Sequence, residues 1–425
     1  MTSFLGIAPR RAAMVGAAAL LGVLGACSSV ADDLLRVTTP SRLAESGFLV
    51  PANASLIVAS AVADFECAYG SYVVASGLAA GELVDGTQTA ARWSYDRRDI
   101  LPQDATYSTA GCTGLGVYTP LNTARFVADQ AVRQLDGWTD QQVPDRSRLI
   151  ARASLYAGYA TLLIGEGFCS ATIDVGPELQ SAQLFDSAEV RFTRAITLAT
   201  QLGDQAILNG ALVGRARARL NRGNRAGAGE DAARVPLAFV LNATADVNAA
   251  RRTNRVFAEN NQGFAVTVAP AYRALTVAGA PDPRVRVTDA GRNAADQVNR
   301  LWTQTKYAAL NAVIPIASGV EAQLILAEAR GGADGAAVLS ALRARAGVAL
   351  PALSAAEAAA FQTTLFEERR RELFLQGARW YDIRRANLPL EPAAGAQYPK
   401  GGVYGNQRCW PLPDVERFAN PNLQG

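Results

Sequence analysis

Helical periodicity in the middle of the chain limits the possible folds more than any other feature of the sequence. Four apolar residues there recur at the spacing i, i+3, i+4 and i+7, so they share one face of a helix that Ser187 can cap. They are Phe192, Ala195, Ile196 and Ala199. After a break at Gly203-Asp204, a second helix carries Leu208, Ala211, Leu212, Ala216 and Leu220. A third begins at Asn224 and stops before Pro236. Such helices bury their apolar faces by stacking on one another, so we expect a mainly α-helical fold.

Small residues occupy the expected crossing points of these helices. Residues 210–220, GALVGRARARL, resemble the second helix of a tetratricopeptide repeat, although the repeat period of about 34 residues is not kept cleanly. We therefore expect tetratricopeptide-like helical repeats with irregular loops and a few short strands.

Helical and non-helical stretches also divide the rest of the chain. Further helices are predicted over residues 55–80, 120–135, 145–163, 319–330, 335–346 and 354–376. The last has a capping box at Ser354 and Glu357, and Gly377 lies just beyond its end. Residues 81–119 read as a polar loop, and alternation over residues 264–268 indicates a short strand. We divide the chain into a helical part, 51–236, an irregular segment, 237–318, and a C-terminal part, 319–425.

The amino terminus has the pattern of a lipoprotein signal peptide. Arg10 and Arg11 precede an apolar stretch over residues 12–24, which is shorter than the roughly 20 residues that span a membrane. Small residues then lead to Cys27, whose thiol can accept a diacylglycerol. We expect a signal peptide over residues 1–26, lipid on Cys27, and a tether over residues 27–50, with several acyl chains holding the protein on a membrane. A buried N-terminal helix and a twin-arginine signal are the alternatives.

Composition excludes several classes of function. The chain has no histidine, which removes Ser-His-Asp and Cys-His catalysis and ordinary zinc hydrolase sites. Its net charge is +3 and the charges are interspersed, so we expect no nucleic-acid partner. Lys306 and Lys400 are the only lysines, a bias that we attribute to genome composition. We expect no cofactor and no metal.

Four cysteines besides Cys27 indicate two disulfide bonds in an exported protein. They are Cys67, Cys112, Cys169 and Cys409, and they lack the spacing of metal ligands. Three pairings are open, of which we favour Cys67–Cys112, leaving Cys169–Cys409.

The C-terminal part carries an ordered set of motifs. Residues 367–385, EERRRELFLQGARWYDIRR, follow EAQLILAEA at 321–329 and LRARAG at 342–347. WPLP at 410–413 and NPNL at 420–423 come after them, with TKY at 305–307 and YTPLNTA at 118–124 upstream. In this order the motifs resemble the SusD/RagB family of outer-membrane lipoproteins.

That resemblance implies a SusD-like α–α superhelix and a nutrient-binding protein without enzyme activity. It also implies a surface-exposed, lipid-anchored position on the outer membrane, to which Ser28 after Cys27 also points. The expected partner is a TonB-dependent transporter of the SusC type, to which the protein delivers an oligosaccharide or a peptide.

Loop aromatics beside charged residues are the candidate ligand contacts. Sugar rings stack their C–H faces on aromatic rings, while their hydroxyl groups bond to Asp and Arg. Trp93 and Tyr95, with Asp96 and Arg97, form the first candidate group; Trp302 and Tyr307 form the second, within the segment 237–318 that we assign to the ligand side. The alternative is that these aromatics simply pack against the helices, as we expect for Trp380, Tyr381 and Trp410.

Two other functions compete with nutrient binding. A tetratricopeptide scaffold lipoprotein in envelope assembly would bind proteins. A glycosidase would need two carboxylates about 5–10 Å apart in one cleft. The acidic run from Glu367 to Glu372 suits ordinary helix ion pairs better, because Glu367 and Glu368 lie four and three residues before Arg371.

Overall fold

The computed structural model describes residues 50–423, and this part of the chain is mainly helical, as the periodicity predicts. The fifteen α-helices of the described chain are α1 (Ala54–Ala79), α2 (Ala90–Arg97), α3 (Ala105–Ser108), α4 (Tyr118–Asp136), α5 (Arg146–Gly167), α6 (Ser181–Leu202), α7 (Gln205–Asn221), α8 (Arg225–Ala232), α9 (Arg255–Phe257), α10 (Gly319–Arg330), α11 (Gly332–Ala344), α12 (Ala355–Ala359), α13 (Phe361–Glu372), α14 (Arg379–Arg385) and α15 (Asp414–Ala419). The expected signal peptide, Cys27 and the tether as far as residue 49 lie outside the described residues.

The long helices stack in sequence, which confirms the predicted helical-repeat architecture. Helix α1 packs on α4, α4 on α5, α5 on α6, α6 on α7, and α7 on α8. Helix α8 then packs on α10, and α10 on α11, so the stack continues into the C-terminal part. Local signals fix the turns between helices. Gly203 adopts a left-handed conformation, and the Asp204 side chain accepts a hydrogen bond from the Ile207 N–H.

Small residues in α5 and α7 allow one aromatic ring to pack between these helices. Phe192 on α6 is fully buried and meets Tyr159 edge-on, with ring centroids 4.9 Å apart. A Cβ atom at Gly158 would lie 2.7 Å from the Phe192 ring, and one at Gly214 would lie closer still. The small residues that suggested close helix crossings therefore accommodate this ring.

Helix α1 runs through the centre of the protein. By length and composition Pro51–Ala79 could cross a membrane, and it is the one such helix in the described chain, but 78% of its most apolar window is buried inside the protein. Its Tyr69 hydroxyl donates a hydrogen bond to the Pro315 carbonyl oxygen at 2.6 Å. Because its surroundings are protein, we interpret α1 as a core helix.

Short antiparallel strand pairs connect the helices and position the candidate site. The strands are β1 (Leu83–Asp85), β2 (Ser170–Ala171), β3 (Leu179–Gln180), β4 (Val240–Ala243), β5 (Val266–Val268), β6 (Thr276–Val277), β7 (Ala280–Pro281), β8 (Val287–Asn293), β9 (Arg300–Gln304) and β10 (Ile314–Ser318). The pairs are β1 with β5, β2 with β3, β4 with β10, β6 with β7, and β8 with β9. Leu83 faces Val268 in the register of β1 and β5. The Thr267 side chain joins β5 to β9, because its hydroxyl accepts from the Trp302 N–H at 2.8 Å.

Two disulfides join the cysteines in the pairing that we favoured. Cys67 on α1 is bonded to Cys112, with Cα atoms 5.7 Å apart. Cys169, just after α5, is bonded to Cys409, with Cα atoms 5.0 Å apart. Next to this second bond, the Cys169 N–H donates to the Trp410 carbonyl oxygen at 2.8 Å. The C-terminal segment is therefore held against the end of α5 by a covalent bond and by hydrogen bonds.

Several predicted boundaries were wrong. Residues 81–119 are not one polar loop, because they contain β1, α2 and α3. Helix α6 begins at Ser181, where a capping box formed by Gln180 and Gln183 acts instead of a cap at Ser187. The helix predicted over residues 354–376 is divided at Ala360, although its capping box at Ser354 and Glu357 is present.

Candidate ligand-binding site

Trp93 lies on the two-turn helix α2, not on a loop as we expected. Its ring is partly exposed, and its indole N–H donates to the Thr87 carbonyl oxygen at 2.9 Å. Tyr398 lies beside it, with ring centroids 6.4 Å apart. The indole is thus held in one orientation while part of its surface stays accessible.

The ammonium group of Lys400 lies 5.2 Å from the centroid of the Trp93 ring. It donates to the carbonyl oxygens of Asp85 and Thr87 at 2.6 and 2.9 Å. It also contacts the Asp85 carboxylate at 2.9 Å and the Asp296 carboxylate at 3.4 Å. Because four oxygen atoms surround this cation, it fixes the segment around Lys400 against Trp93 and supports the ring through a cation–π contact.

Tyr95 and Asp96 face the protein interior, so the expectation that they contact a ligand is corrected. Both side chains are 1% exposed. The Tyr95 hydroxyl donates to the Leu115 carbonyl oxygen at 2.7 Å, and burial raises its pKa well above the usual range. The Asp96 carboxylate accepts from the Asp85 N–H at 3.0 Å, while burial raises the Asp96 pKa to about 7. Helix α2 turns these two side chains inward and leaves Trp93 on the outer side.

Arg97 remains partly exposed at the end of α2. Its Nε atom lies 2.5 Å from the Asp99 carboxylate, and its guanidinium lies 5.8 Å from the centroid of the Tyr398 ring. These contacts leave it available to hydrogen-bond a hydroxyl group near Trp93. Its role as a ligand contact stays a prediction.

The second candidate pair is divided between the surface and the core. Trp302 on β9 is partly exposed, and the Arg273 guanidinium lies 5.3 Å from the centroid of its ring. Tyr307 is 3% exposed and its hydroxyl donates to the Leu375 carbonyl oxygen at 3.0 Å, so it supports the fold and the expectation of ligand contact is corrected. Within the described part of the chain, no ring contact joins Trp302 to Trp93.

Sequence reasoning missed the residues that support Trp93. Asp85, Asp296 and Lys400 are far apart in the chain, and their charges are almost fully buried together. The sequence signal that could have drawn attention to Lys400 is the rarity of lysine, which occurs only twice in the chain. The ammonium groups of both lysines are bound to backbone carbonyl oxygens, since Lys306 donates to Phe374 at 2.7 Å.

The charged C-terminal motif forms a structural network, as the ion-pair interpretation predicts. Glu367 contacts Arg371 at 2.6 Å, the expected i, i+4 pair. Glu368 does not pair with Arg371; it contacts Arg284 at 2.6 Å and Arg343 at 2.8 Å. Trp380, Tyr381 and Trp410 are buried, as expected.

Comparisons with known proteins agree with the fold and with the C-terminal motifs. The SusD family model matches residues 321–422. Surface glycan-binding protein A from Bacteroides thetaiotaomicron superposes with a TM-score of 0.67 and 12% identity, over 89% of this chain and 99% of that one. A SusD superfamily protein from Bacteroides fragilis superposes with a TM-score of 0.65 and 14% identity, over 88% of this chain and 99% of that one. A SusD-like carbohydrate binding protein from Bacteroides vulgatus superposes with a TM-score of 0.64 and 16% identity, over 88% of this chain and 97% of that one.

No curated protein matches the chain. At such low identity the solved structures establish the fold alone, and the match to the family model is confined to residues 321–422. The carboxyl-terminal segment of this chain therefore matches the SusD family, and the chain shares its fold with SusD superfamily structures.

Proposed function

We propose that this protein binds carbohydrate without transforming it, and that the Trp93 indole is the main contact. The observation that carries the proposal is a partly exposed tryptophan held rigidly by the Thr87 carbonyl oxygen and by Lys400. A rigid indole loses little conformational entropy when a sugar stacks on it. Arg97 and Trp302 are the further proposed contacts.

The names of similar structures favour a glycan over a peptide. One is a surface glycan-binding protein and another is a SusD-like carbohydrate binding protein. The alternative of an envelope-assembly scaffold has no support among these comparisons, so we do not pursue it.

The carboxylates around Trp93 support a binding role over a glycosidase. Asp85 and Asp96 are 0% and 1% exposed, and Asp296 is 3% exposed. Asp85 and Asp296 contact Lys400, and Asp96 accepts a backbone hydrogen bond. A glycosidase needs an acid and a base that reach the glycosidic bond, and these side chains are engaged elsewhere.

We further propose that the protein works at the outer membrane with a TonB-dependent transporter of the SusC type. Lipid on Cys27 would hold it there, and residues 27–50 would act as the tether. The support for this proposal is the N-terminal sequence pattern and the match of residues 321–422 to the SusD family.

Replacement of Trp93 by alanine tests the binding site. We expect the variant to lose most of its affinity for a glycan identified by array screening, with little change in the unfolding temperature, because the ring is partly exposed. Trp138→Ala is the matched control, since Trp138 is also partly exposed but lies between α4 and α5. Isothermal titration calorimetry gives the affinities. Equal affinity in the Trp93 variant and the unchanged protein, or binding to a peptide panel instead of glycans, would contradict the proposal.

A further inference from the structure

Arg379 differs from the other buried arginines of the described chain. Arg98 donates to backbone carbonyl oxygens, and four others contact carboxylates: Arg125, Arg217, Arg343 and Arg369. Arg379 is only 9% exposed, yet within residues 50–423 no hydrogen bond or ion pair involves its guanidinium. A guanidinium with no hydrogen-bond acceptor in the protein bonds to water or to a ligand instead.

A cleft beside Arg379 provides room for a ligand. It has a volume of about 430 Å³ and lies between helix α13 and the residues that follow α14. Binding pockets for small molecules typically measure about 300–1,000 Å³. Phe366, Leu388 and Pro389 supply apolar wall, and the exposed Gln362 and Thr363 lie on the same lining.

The acidic side chains of the cleft are neutralised by other cations. Glu367 contacts Arg370 at 2.5 Å and Arg371 at 2.6 Å. Glu391 lies 3.7 Å from Arg370. The lining therefore offers one cation, Arg379, whose hydrogen-bonding capacity is unused.

The buried Glu82 forms no hydrogen bond or close ion pair with Arg379 in the described chain. One carboxylate oxygen of Glu82 accepts from the Leu375 N–H at 3.1 Å, and the other has no hydrogen-bond partner in the described chain. Burial raises the Glu82 pKa to about 7, and the nearby Arg379 charge partly offsets that rise, so the two groups attract each other without a hydrogen bond between them. The hydrogen-bond donors of Arg379 are thus open to an anion from the cleft.

We propose that this cleft binds a hexuronate residue, with the Arg379 guanidinium donating two parallel hydrogen bonds to its carboxylate. A planar guanidinium matches a carboxylate in this geometry. The C–H face of the sugar lies against Phe366 and Leu388, and its hydroxyl groups reach Gln362 and Thr363. The choice of a sugar rests on the proposed function, but the cleft is built from elements other than those that hold Trp93.

Titration with D-glucuronate, monitored by ligand-observed NMR, tests this site. D-glucose and acetate separate the two parts of the ligand, since one lacks the carboxylate and the other lacks the sugar. We expect tighter binding of glucuronate than of either probe. No glucuronate binding, or equal binding of glucose or acetate, overturns the proposal.

Variants on the cleft complete the test. Arg379→Gln should weaken glucuronate binding about tenfold or more, because it removes charge-assisted hydrogen bonds. If that variant does not fold, Thr363→Glu at the exposed lining should weaken binding by repulsion, while the matched Thr363→Gln should not. Unchanged affinity in Arg379→Gln or Thr363→Glu overturns the proposal.

Two variants distinguish failure of this proposal from failure of the proposed carbohydrate site at Trp93. Trp93→Ala should leave glucuronate affinity unchanged, and Arg379→Gln should leave binding of a neutral glycan unchanged. Loss of glucuronate binding in Trp93→Ala would place the acidic sugar at Trp93 and overturn the assignment to this cleft.

Discussion

Replacement of Lys400 by methionine tests the contacts that hold the Trp93 indole. The Lys400 side chain is 5% exposed, and its ammonium contacts two carboxylates that are 0% and 1% exposed. Methionine keeps an unbranched apolar chain, so the variant mainly removes the charge and its hydrogen bonds. Removing one partner from a buried ion pair costs about 3–5 kcal/mol, because the remaining charge stays buried. We expect the free energy of unfolding to fall by that amount.

Lys306→Met is the matched comparison, since it removes the other lysine of the chain. The Lys306 ammonium donates one hydrogen bond to the Phe374 carbonyl oxygen, and burial lowers its pKa to about 8. Because this variant loses one hydrogen bond but also removes a buried charge, we expect its free energy of unfolding to decrease by about 1 kcal/mol. Urea unfolding followed by circular dichroism measures both variants. Equal losses, or a loss below about 1 kcal/mol for Lys400→Met, would refute the assigned role of Lys400.

Two further perturbations address the core. Burial raises the pKa of both Glu82 and Asp96 to about 7, so the folded state binds more protons than the unfolded state between about pH 4.5 and 7. Their contribution to stability therefore decreases as pH rises towards 7. In Glu82→Gln, the free energy of unfolding should fall less between pH 5 and 7 than in the unchanged protein. An unchanged pH dependence of that free energy, measured by urea unfolding, would contradict this. Gly214→Ala should cost about 1–3 kcal/mol by crowding Phe192, and Phe192→Leu should recover part of it in a double-mutant cycle. Strict additivity in that cycle would refute the crowding.

Local signals predicted the fold where neighbouring residues determine it. Helix α10 has the predicted bounds, Gly319–Arg330, and the turn at Gly203 lies where expected. The Ser354 capping box is present, since each of its hydrogen bonds joins residues three apart. Patterns that act over one or two helical turns are visible in the sequence.

Contacts between distant residues were not visible. Trp93 was identified as a candidate, but its support by Lys400 joins residues 307 positions apart. Tyr95 and Asp96 were expected to contact a ligand because charged residues lie near them in the sequence, and only the packing of α2 on the core buries them. Arg379 belongs to a recognised motif, yet its lack of a partner becomes apparent only when α13 and the residues after α14 enclose the cleft.

The Cys169–Cys409 bond has a consequence for the timing of assembly. It spans 240 positions, so helices α6 to α14 lie inside one covalent ring that closes only when almost the whole polypeptide is present. Trp410, next to this bond, contacts the rings of Tyr72, Tyr95 and Phe168. These three residues precede Trp410 by more than 200 positions, so they are synthesised well before the ring that packs against them. The aromatic core around Trp410 can therefore be completed only after the C-terminal segment has been synthesised.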